Sequence, residues 1–250
     1  MRASAIEFRF RMVIQIVIVV LGFWAPWLGT SDLGRHIVTL GWLALEISRL
    51  GIARFAAATP IVIVLGALAA AIGAALRVWG AAYLGYDIVH NGQMHGGAVM
   101  AAGPFRYMRN PLYLGGWFLI IALSLLMPPS GALFTVVLMT IHFLRLILGE
   151  EAFLATQLGE PYAEYRRLVP RLVPIFVPRL APRLPASVQP QWLAAVLAEI
   201  TAIGIFVTMA FLSWTCNNLL MIKAILIFFG ISLVARGFAR SKTTGGPNIA

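Results

Sequence analysis

Charged residues are scarce in this sequence, and acidic residues are the scarcest. Only 11% of the 250 residues are charged, whereas 60% are hydrophobic. A soluble domain carries roughly 25% charged residues. A soluble fold and a disordered chain are therefore both disfavoured, because each needs more polar surface than this composition supplies. Long apolar runs fill most of the length, which predicts an all-α, polytopic membrane protein.

Cysteine is almost absent as well. Cys216 is the one cysteine, so the chain has no internal disulfide, and no Cys/His cluster has metal-site spacing. We therefore expect no bound metal. The chain has 19 Lys and Arg against 9 Asp and Glu, but the arginines lie between apolar runs and are not grouped with aromatic residues. We expect membrane lipids, and not nucleic acid, to balance this charge.

The apolar runs predict a helical bundle of about six membrane spans. They lie at residues 12–29, 61–84, 112–127, 132–148, 192–214 and 219–234. A further run at 37–45 is too short to span and is crowded by charges, so residues 31–58 should form an amphipathic segment on the outer surface. A Pro-Gly turn at 128–131 should close an antiparallel hairpin. Residues 151–169 should form a polar amphipathic helix.

The basic residues predict how the bundle is oriented. With the N-terminus inside, 13 Lys and Arg residues fall in cytoplasmic segments and 3 in outer segments. Such an asymmetry places both termini in the cytoplasm, in an inner or plasma membrane. We divide the chain into an N-terminal span with its interfacial segment (1–59), a central unit (60–176), and a Pro/Arg-rich linker with two spans (177–250).

Two polar segments flank the predicted hairpin. The first, residues 103–115, reads GPFRYMRNPLYLG, and the second, residues 149–171, reads GEEAFLATQLGEPYAEYRRLVPR. They are about forty residues apart, but both lie at the cytoplasmic ends of the same two spans. We therefore expect them to be neighbours in space and to form one site.

These segments resemble the core of the isoprenylcysteine carboxyl methyltransferase and phospholipid N-methyltransferase superfamily. Its members carry Gly-Pro-aromatic and Arg-His-Pro-x-Tyr-x-Gly, then a hydrophobic hairpin, then Glu-Glu, Gly-x-x-Tyr-x-x-Tyr and Val-Pro-Arg. The matching positions here are Arg109, Pro111, Tyr113, Gly115, Glu150, Glu151, Gly159, Tyr162, Tyr165 and residues 169–171. The resemblance covers residues 60–176. Asn110 departs from it, standing where the family has His, and an amide can bind a ligand but cannot change its charge.

The resemblance implies S-adenosylmethionine as the cofactor and methyl transfer as the reaction. It places the cofactor against Gly103, Tyr107, Arg109, Asn110, Pro111, Tyr113, Glu150 and Glu151. Carboxylates suit its hydroxyl and ammonium groups, and tyrosines suit its adenine and sulfonium. The free amides of a helix that begins at Pro111 suit its carboxylate. We expect Glu150 to hold the cofactor and not to act as a base.

Two arginines, Arg77 and Arg145, lie within apolar runs. Both are near the cytoplasmic ends of their spans, where snorkelling explains them as well as a role in orienting an anionic group of the acceptor. Arg145 is the better candidate, because it shares a helix face with His142 and Gly149 that leads to Glu150. Arg145 and Glu150 are therefore the expected catalytic residues. His90 and His95 are interpreted as polar residues of a loop.

The acceptor stays open between several chemical classes. The resemblance allows prenyl-cysteine carboxylates, phospholipid amines and small thiols. The apolar residues beside the motifs (Leu112, Leu114, Trp117, Phe118 and Phe143) favour a lipophilic acceptor that enters sideways from the membrane. Two alternatives remain: an NADPH-dependent reductase of the related sterol reductase branch, and a transporter or scaffold. A transporter usually has paired halves with broken helices, and the sequence shows no repeat.

Overall fold

The computed structural model describes residues 3–24, 37–84, 99–177 and 189–243, with side chains of the last helix described to residue 235. This part of the chain is helical and contains no strand. The α-helices are α1 (Ala5–Arg9), α2 (Arg11–Trp24), α3 (Thr39–Arg49), α4 (Phe55–Leu84), α5 (Pro111–Ser124), α6 (Pro129–Leu158), α7 (Glu160–Leu168), α8 (Trp192–Ala198), α9 (Ile200–Val207) and α10 (Asn218–Thr243). Residues 85–98, with His90 and His95, lie outside the described residues.

Apolar helices make this an integral membrane protein. Within the described ranges, 3 helices are long and apolar enough to cross a bilayer, namely α4, α6 and α10 up to Ala235, and the bent pair α8 and α9 makes up to 4. Helices α2 and α5 are apolar but have 14 residues each, about 21 Å at 1.5 Å per residue. The predicted all-α class is confirmed, whereas the count of six spans stays a prediction.

The central packing unit is the pair α4 and α5, and glycines bring the two helices together. Gly66, Gly73 and Gly80 recur every seven residues on one face of α4. A Cβ atom on Gly73 would lie 2.8 Å from the carbonyl oxygen of Gly115 in α5, and a Cβ atom on Gly80 would lie 3.1 Å from Leu112. Small residues let helix backbones approach closely in a membrane, where the hydrophobic effect does not drive helices together. The spacing of α4 and α5 is therefore set by backbone contact.

The hairpin of α5 and α6 turns slightly earlier than predicted. Residues 125–128 form the turn, and Pro129 is already the first residue of α6, where its missing N–H is not needed. The amides of Thr39 and Leu40 in α3 donate to the carbonyls of Met127 (2.8 Å) and Leu125 (2.9 Å). Helix α3, in the segment predicted to lie on the outer surface, thus closes the hairpin and buries Leu40 and Ala44 in the core.

The residues predicted to form one polar helix, 151–169, belong to two helices. Helix α6 continues to Leu158 and ends at Gly159, whose φ of 58° is readily adopted only by glycine. Helix α7 follows. The consequence is that Glu150 and Glu151 lie inside a long helix and not at the start of a new one.

The single span predicted at 192–214 is also broken. Helices α8 and α9 meet at Glu199 with a bend of 69°. The Glu199 carboxylate, 3% exposed, receives two hydrogen bonds from Arg77 of α4, at 2.6 and 2.9 Å. Arg77 therefore has a carboxylate partner within the protein, which neither interpretation of its position in an apolar run included.

We predict that Glu199→Gln destabilises the fold, because it leaves the partly buried charge of Arg77 without a counter-charge. The expected loss is roughly 2–3 kcal/mol, below the range of about 3–5 kcal/mol for a fully buried pair, since Arg77 is 28% exposed. Thermal unfolding of the detergent-purified chain measures it.

The double variant Arg77→Gln/Glu199→Gln is the control, because it removes both charges and leaves neither unpaired. It should recover most of the loss. If the double variant unfolds at as low a temperature as Glu199→Gln alone, the loss does not come from an uncompensated charge.

Candidate active site

The structure brings the two polar segments together through backbone hydrogen bonds. The amide of Arg109 donates to the carbonyl of Pro170 (2.9 Å), and the amide of Ile175 donates to the carbonyl of Tyr107 (3.0 Å). The hydroxyl of Tyr165 donates to the carbonyl of Phe105 (2.7 Å). Residues on both sides of the hairpin therefore form one polar layer at the start of α5 and the end of α6.

A buried carboxylate, Glu151, lies at the centre of this layer. It is 5% exposed. Arg171 donates to its two oxygens from Nη2 (2.8 Å) and Nε (3.1 and 3.2 Å), and Arg109 Nη2 lies 3.5 Å from Oε1. The bond to Glu151 raises the pKa of Arg171. Glu151 thus joins the first motif to the Val-Pro-Arg motif, and its carboxylate is hydrogen-bonded within the protein and not exposed to solvent.

Asn110 shows how an amide replaces the family's histidine. It is buried, and its Nδ2 donates to Glu151 (3.3 Å) and to the carbonyl of Arg171 (3.1 Å). Both bonds need a donor and neither needs a change of charge. The side chain is turned away from the helix that it precedes, so it does not cap the amides at the start of α5.

Glu150 points in a different direction from Glu151 and contacts α5. Tyr113 donates its hydroxyl to Glu150 Oε2 (3.1 Å), and the charge of Arg11 acts on the same carboxylate. The ring of Tyr113 packs edge-on against Phe143, which packs in turn against Trp117. Glu150 thus lies at the boundary between the polar layer and an apolar, aromatic wall.

Arg145, one turn before Glu150 on α6, is held by the N-terminal segment. The carboxylate of Glu7 accepts hydrogen bonds from Arg145 Nη2 (2.7 Å) and Arg145 Nε (3.0 Å). The amide of Ala3 donates to the backbone carbonyl of Arg145 (3.0 Å). Ser4 and Glu7 form a capping box that orients the Glu7 side chain. The structure therefore gives Arg145, a predicted catalytic residue, a carboxylate of the protein as its partner.

Gly103 and Tyr107 stand at the edge of the same layer. Gly103 has a φ of 54°, and a side chain there would collide with the ring of Tyr83, so only glycine fits. The ring of Tyr107 lies 5.9 Å from that of Trp79 in α4. Pro111 is buried as the first residue of α5. The predicted cofactor residues are thus within one contiguous region.

The two tyrosines of the Tyr-x-x-Tyr motif are buried in an apolar cluster. Tyr162 and Tyr165 are each 3% exposed, and they pack with Val99, Ala101 and Val169. Burial raises the pKa of Tyr162 to about 12 and raises that of Tyr165 further. Both hydroxyls are therefore protonated at neutral pH, and the Tyr165 hydroxyl, which donates to the carbonyl of Phe105, ties α7 to the residues that precede α5.

Three residues of this region were missed from the sequence: Glu7, Arg11 and Glu199. Glu199 has a usable signal, since it is the one acidic residue within an apolar run, as Arg77 is a basic residue within another. Glu7 and Arg11 lie in a basic N-terminal stretch that looks like a simple orientation signal. Among the described residues, no group of three or more His, Cys, Asp or Glu could hold a metal ion.

Comparison with known families agrees with this geometry. Residues 61–161 match the family model described as phospholipid methyltransferase. They include α4 from residue 61 onwards, the hairpin, Asn110, Glu150 and Glu151. The chain is thus an integral membrane protein whose residues 61–161 are similar to a methyltransferase family, and the predicted resemblance to the integral membrane methyltransferases is confirmed for this region. No curated protein and no solved structure matches the chain.

We predict that acid releases the N-terminal segment from α6. The hydrogen bond from Arg145 and that from the Ser4 amide lower the pKa of Glu7 from 4.5 to about 2. Because the folded pKa is depressed, the contribution of Glu7 is complete above pH 4.5 and is lost as the pH falls towards 2. A trifluoromethyl label on Ile6→Cys in a Cys216→Ser background reports the release by ¹⁹F NMR, since Ile6 is 71% exposed.

Two variants test the cause of this transition. Glu7→Gln should abolish the transition between pH 4.5 and 2. Glu46→Gln removes the carboxylate of an exposed pair with Arg49 and should leave it unchanged. A transition that persists in Glu7→Gln would assign the release to another group.

Proposed function

We propose that this protein transfers a methyl group from S-adenosylmethionine to a lipophilic or small acceptor at the membrane. One observation carries the proposal. The motif residues that resemble those of the membrane methyltransferases converge on a single layer, in which Glu151 ties the two motifs together and leaves Glu150 facing the apolar wall. The match of residues 61–161 to a phospholipid methyltransferase family supports the same activity.

The residues of this layer fit the chemical groups of the cofactor. The amides at the start of α5 have no side-chain cap, because Asn110 bonds elsewhere, and such amides can bind a carboxylate. Glu150 accepts one hydrogen bond, from Tyr113, and a carboxylate can accept several more from an ammonium or from ribose hydroxyls. Tyr107 presents an aromatic ring at the edge of the layer. A cofactor with all of these groups would span from Pro111 to Glu150.

The reaction asks the protein for alignment more than for acid–base chemistry. The sulfonium supplies an activated methyl group when the cofactor is bound, and an in-line displacement gains mostly from holding the reactants in place. Tyr113 orients the Glu150 carboxylate by its hydrogen bond, and the aromatic wall excludes water. Asn110 offers no group that titrates near neutral pH, so it serves in binding and not in proton transfer.

Arg145 would orient the acceptor. Its guanidinium lies in an ion pair with Glu7, so an anionic acceptor group would have to displace that carboxylate or bind beside it. A neutral or cationic acceptor group meets no such competition. The apolar residues Trp117 and Phe143 belong to one apolar cluster with Ile14 and Ile18 of α2, so a lipid tail would enter along the edge of α2. The proposal includes a topology in which both termini lie on the cytoplasmic side of the membrane.

We predict that S-adenosylhomocysteine stabilises the detergent-purified chain and that NADPH does not. A ligand at 100 times its dissociation constant stabilises the folded state by about 2.7 kcal/mol, which is readily seen as a shift in Tm. Stabilisation by NADPH alone would favour a reductase, and no stabilisation by either would favour a transporter or scaffold. A tritiated methyl donor with a membrane lipid extract then identifies the acceptor.

We predict that Glu150→Gln weakens S-adenosylhomocysteine binding by roughly 10- to 100-fold, because a hydrogen bond to a charged group contributes about 1.5–3 kcal/mol. Isothermal titration measures the affinity. The matched control is Glu160→Gln, which removes an exposed carboxylate from the nearby α7 and should leave the affinity unchanged. Unchanged affinity in Glu150→Gln with lower turnover and a shifted pH profile would instead make Glu150 a base.

A further inference from the structure

A polar cavity lies between Arg109 and helix α7. Its volume is about 310 Å³, and it is lined by Arg109, Ala163, Arg166 and Arg167. Three of these four residues are arginines, and no carboxylate is among the described residues that line it. The cavity is therefore a concave surface with one sign of charge.

Arg109 brings unused hydrogen-bond donors to this cavity. Its side chain is only 10% exposed, and its Nη2 is 3.5 Å from Glu151, too long for a strong bond. Its Nε and Nη1 are enclosed and have no partner in the described part of the chain. A buried guanidinium without partners costs free energy, so a ligand that satisfies these donors would be bound favourably.

Glu151 cannot supply the missing acceptors. Both of its oxygens already accept from Arg171, at 2.8 to 3.2 Å, and one accepts from Asn110. Arg171 thus balances the single negative charge of Glu151. The charge of Arg109 is left over and adds to those of Arg166 and Arg167.

Arg166 and Arg167 lie in the last turn of α7 and are exposed. Neither has a salt bridge within 4.0 Å among the described residues. We propose that Arg109, Arg166 and Arg167 form a binding site for a phosphate group. Guanidinium groups match phosphate oxygens in geometry as well as charge. The neighbouring Asn110 and Pro111 begin an apolar helix, so the site is at the level where lipid headgroups carry their phosphates.

The phosphate can come from two sources, a lipid headgroup or free phosphate, and the chemistry of the site is the same for both. This proposal does not depend on methyl transfer, because its readout is binding. It does compete with the expectation that Arg109 is among the residues that bind the cofactor. The test therefore includes S-adenosylhomocysteine as a competitor.

The experiment uses the full chain in a neutral detergent and four probes, measured by isothermal titration. They are dihexanoyl phosphatidic acid, dihexanoyl phosphatidylglycerol, dihexanoylglycerol without phosphate, and inorganic phosphate. We expect the two lipids with phosphate to bind and dihexanoylglycerol not to bind. Binding of inorganic phosphate as tight as that of the lipids would make free phosphate the source, and weaker binding would make the lipid headgroup the source.

The double variant Arg166→Gln/Arg167→Gln should weaken phosphatidic acid binding by at least tenfold and leave the Tm unchanged, because both side chains are exposed. The matched control is Arg49→Gln/Arg54→Gln, which removes the same charge near the end of α3. Equal weakening in both variants would show attraction by net charge and overturn the site. Binding of dihexanoylglycerol, or displacement of the phosphate probes by S-adenosylhomocysteine, would overturn it as well.

Discussion

A carboxylate buried at the end of a membrane helix must be paired, and the pairing of Glu151 determines how the rest of the polar layer is arranged. Arg171 reaches it from beyond α7, and Asn110 reaches it from the start of α5. Satisfying one charge therefore brings three separate segments together. Since the partners of Glu151 are then fixed, Glu150 is free to face the aromatic wall, and Arg109 is left with donors that have no partner among the residues that the structure describes. Two adjacent glutamates thus have different partners because successive residues of a helix point in different directions.

The sequence predicted the position of the site because topology alone makes the motifs neighbours. Two segments at the same end of a hairpin must be close, and the structure joins Tyr113 to Glu150 and Asn110 to Glu151. The substitution of Asn for His at position 110 was also interpretable, since both bonds that Asn110 makes need only a donor.

Long-range ion pairs were not predictable in the same way. Arg77 and Glu199 are 122 residues apart, and Glu7 and Arg145 are 138 apart. No periodicity or motif connects such residues, so Arg77 and Arg145 looked like side chains without protein partners. The breaks at Gly159 and Glu199 were missed for a related reason. An apolar run shows how much chain is buried, but a bend depends on the tertiary contact that holds it, such as the pairing of Glu199 with Arg77.

Helix α2 is attached to α6 by two unlike contacts. Near its far end, Gly22 and Gly131 touch backbone to backbone, with no room for a Cβ atom on Gly131. At its near end, the chain is held by the ion pair of Glu7 with Arg145, whose side chains are 27% and 34% exposed. Packing of this kind is insensitive to salt, whereas a partly exposed ion pair is screened by it. The N-terminal segment is therefore held independently of salt where α2 meets the hairpin turn, and its attachment depends on ionic strength where Glu7 of α1 pairs with Arg145.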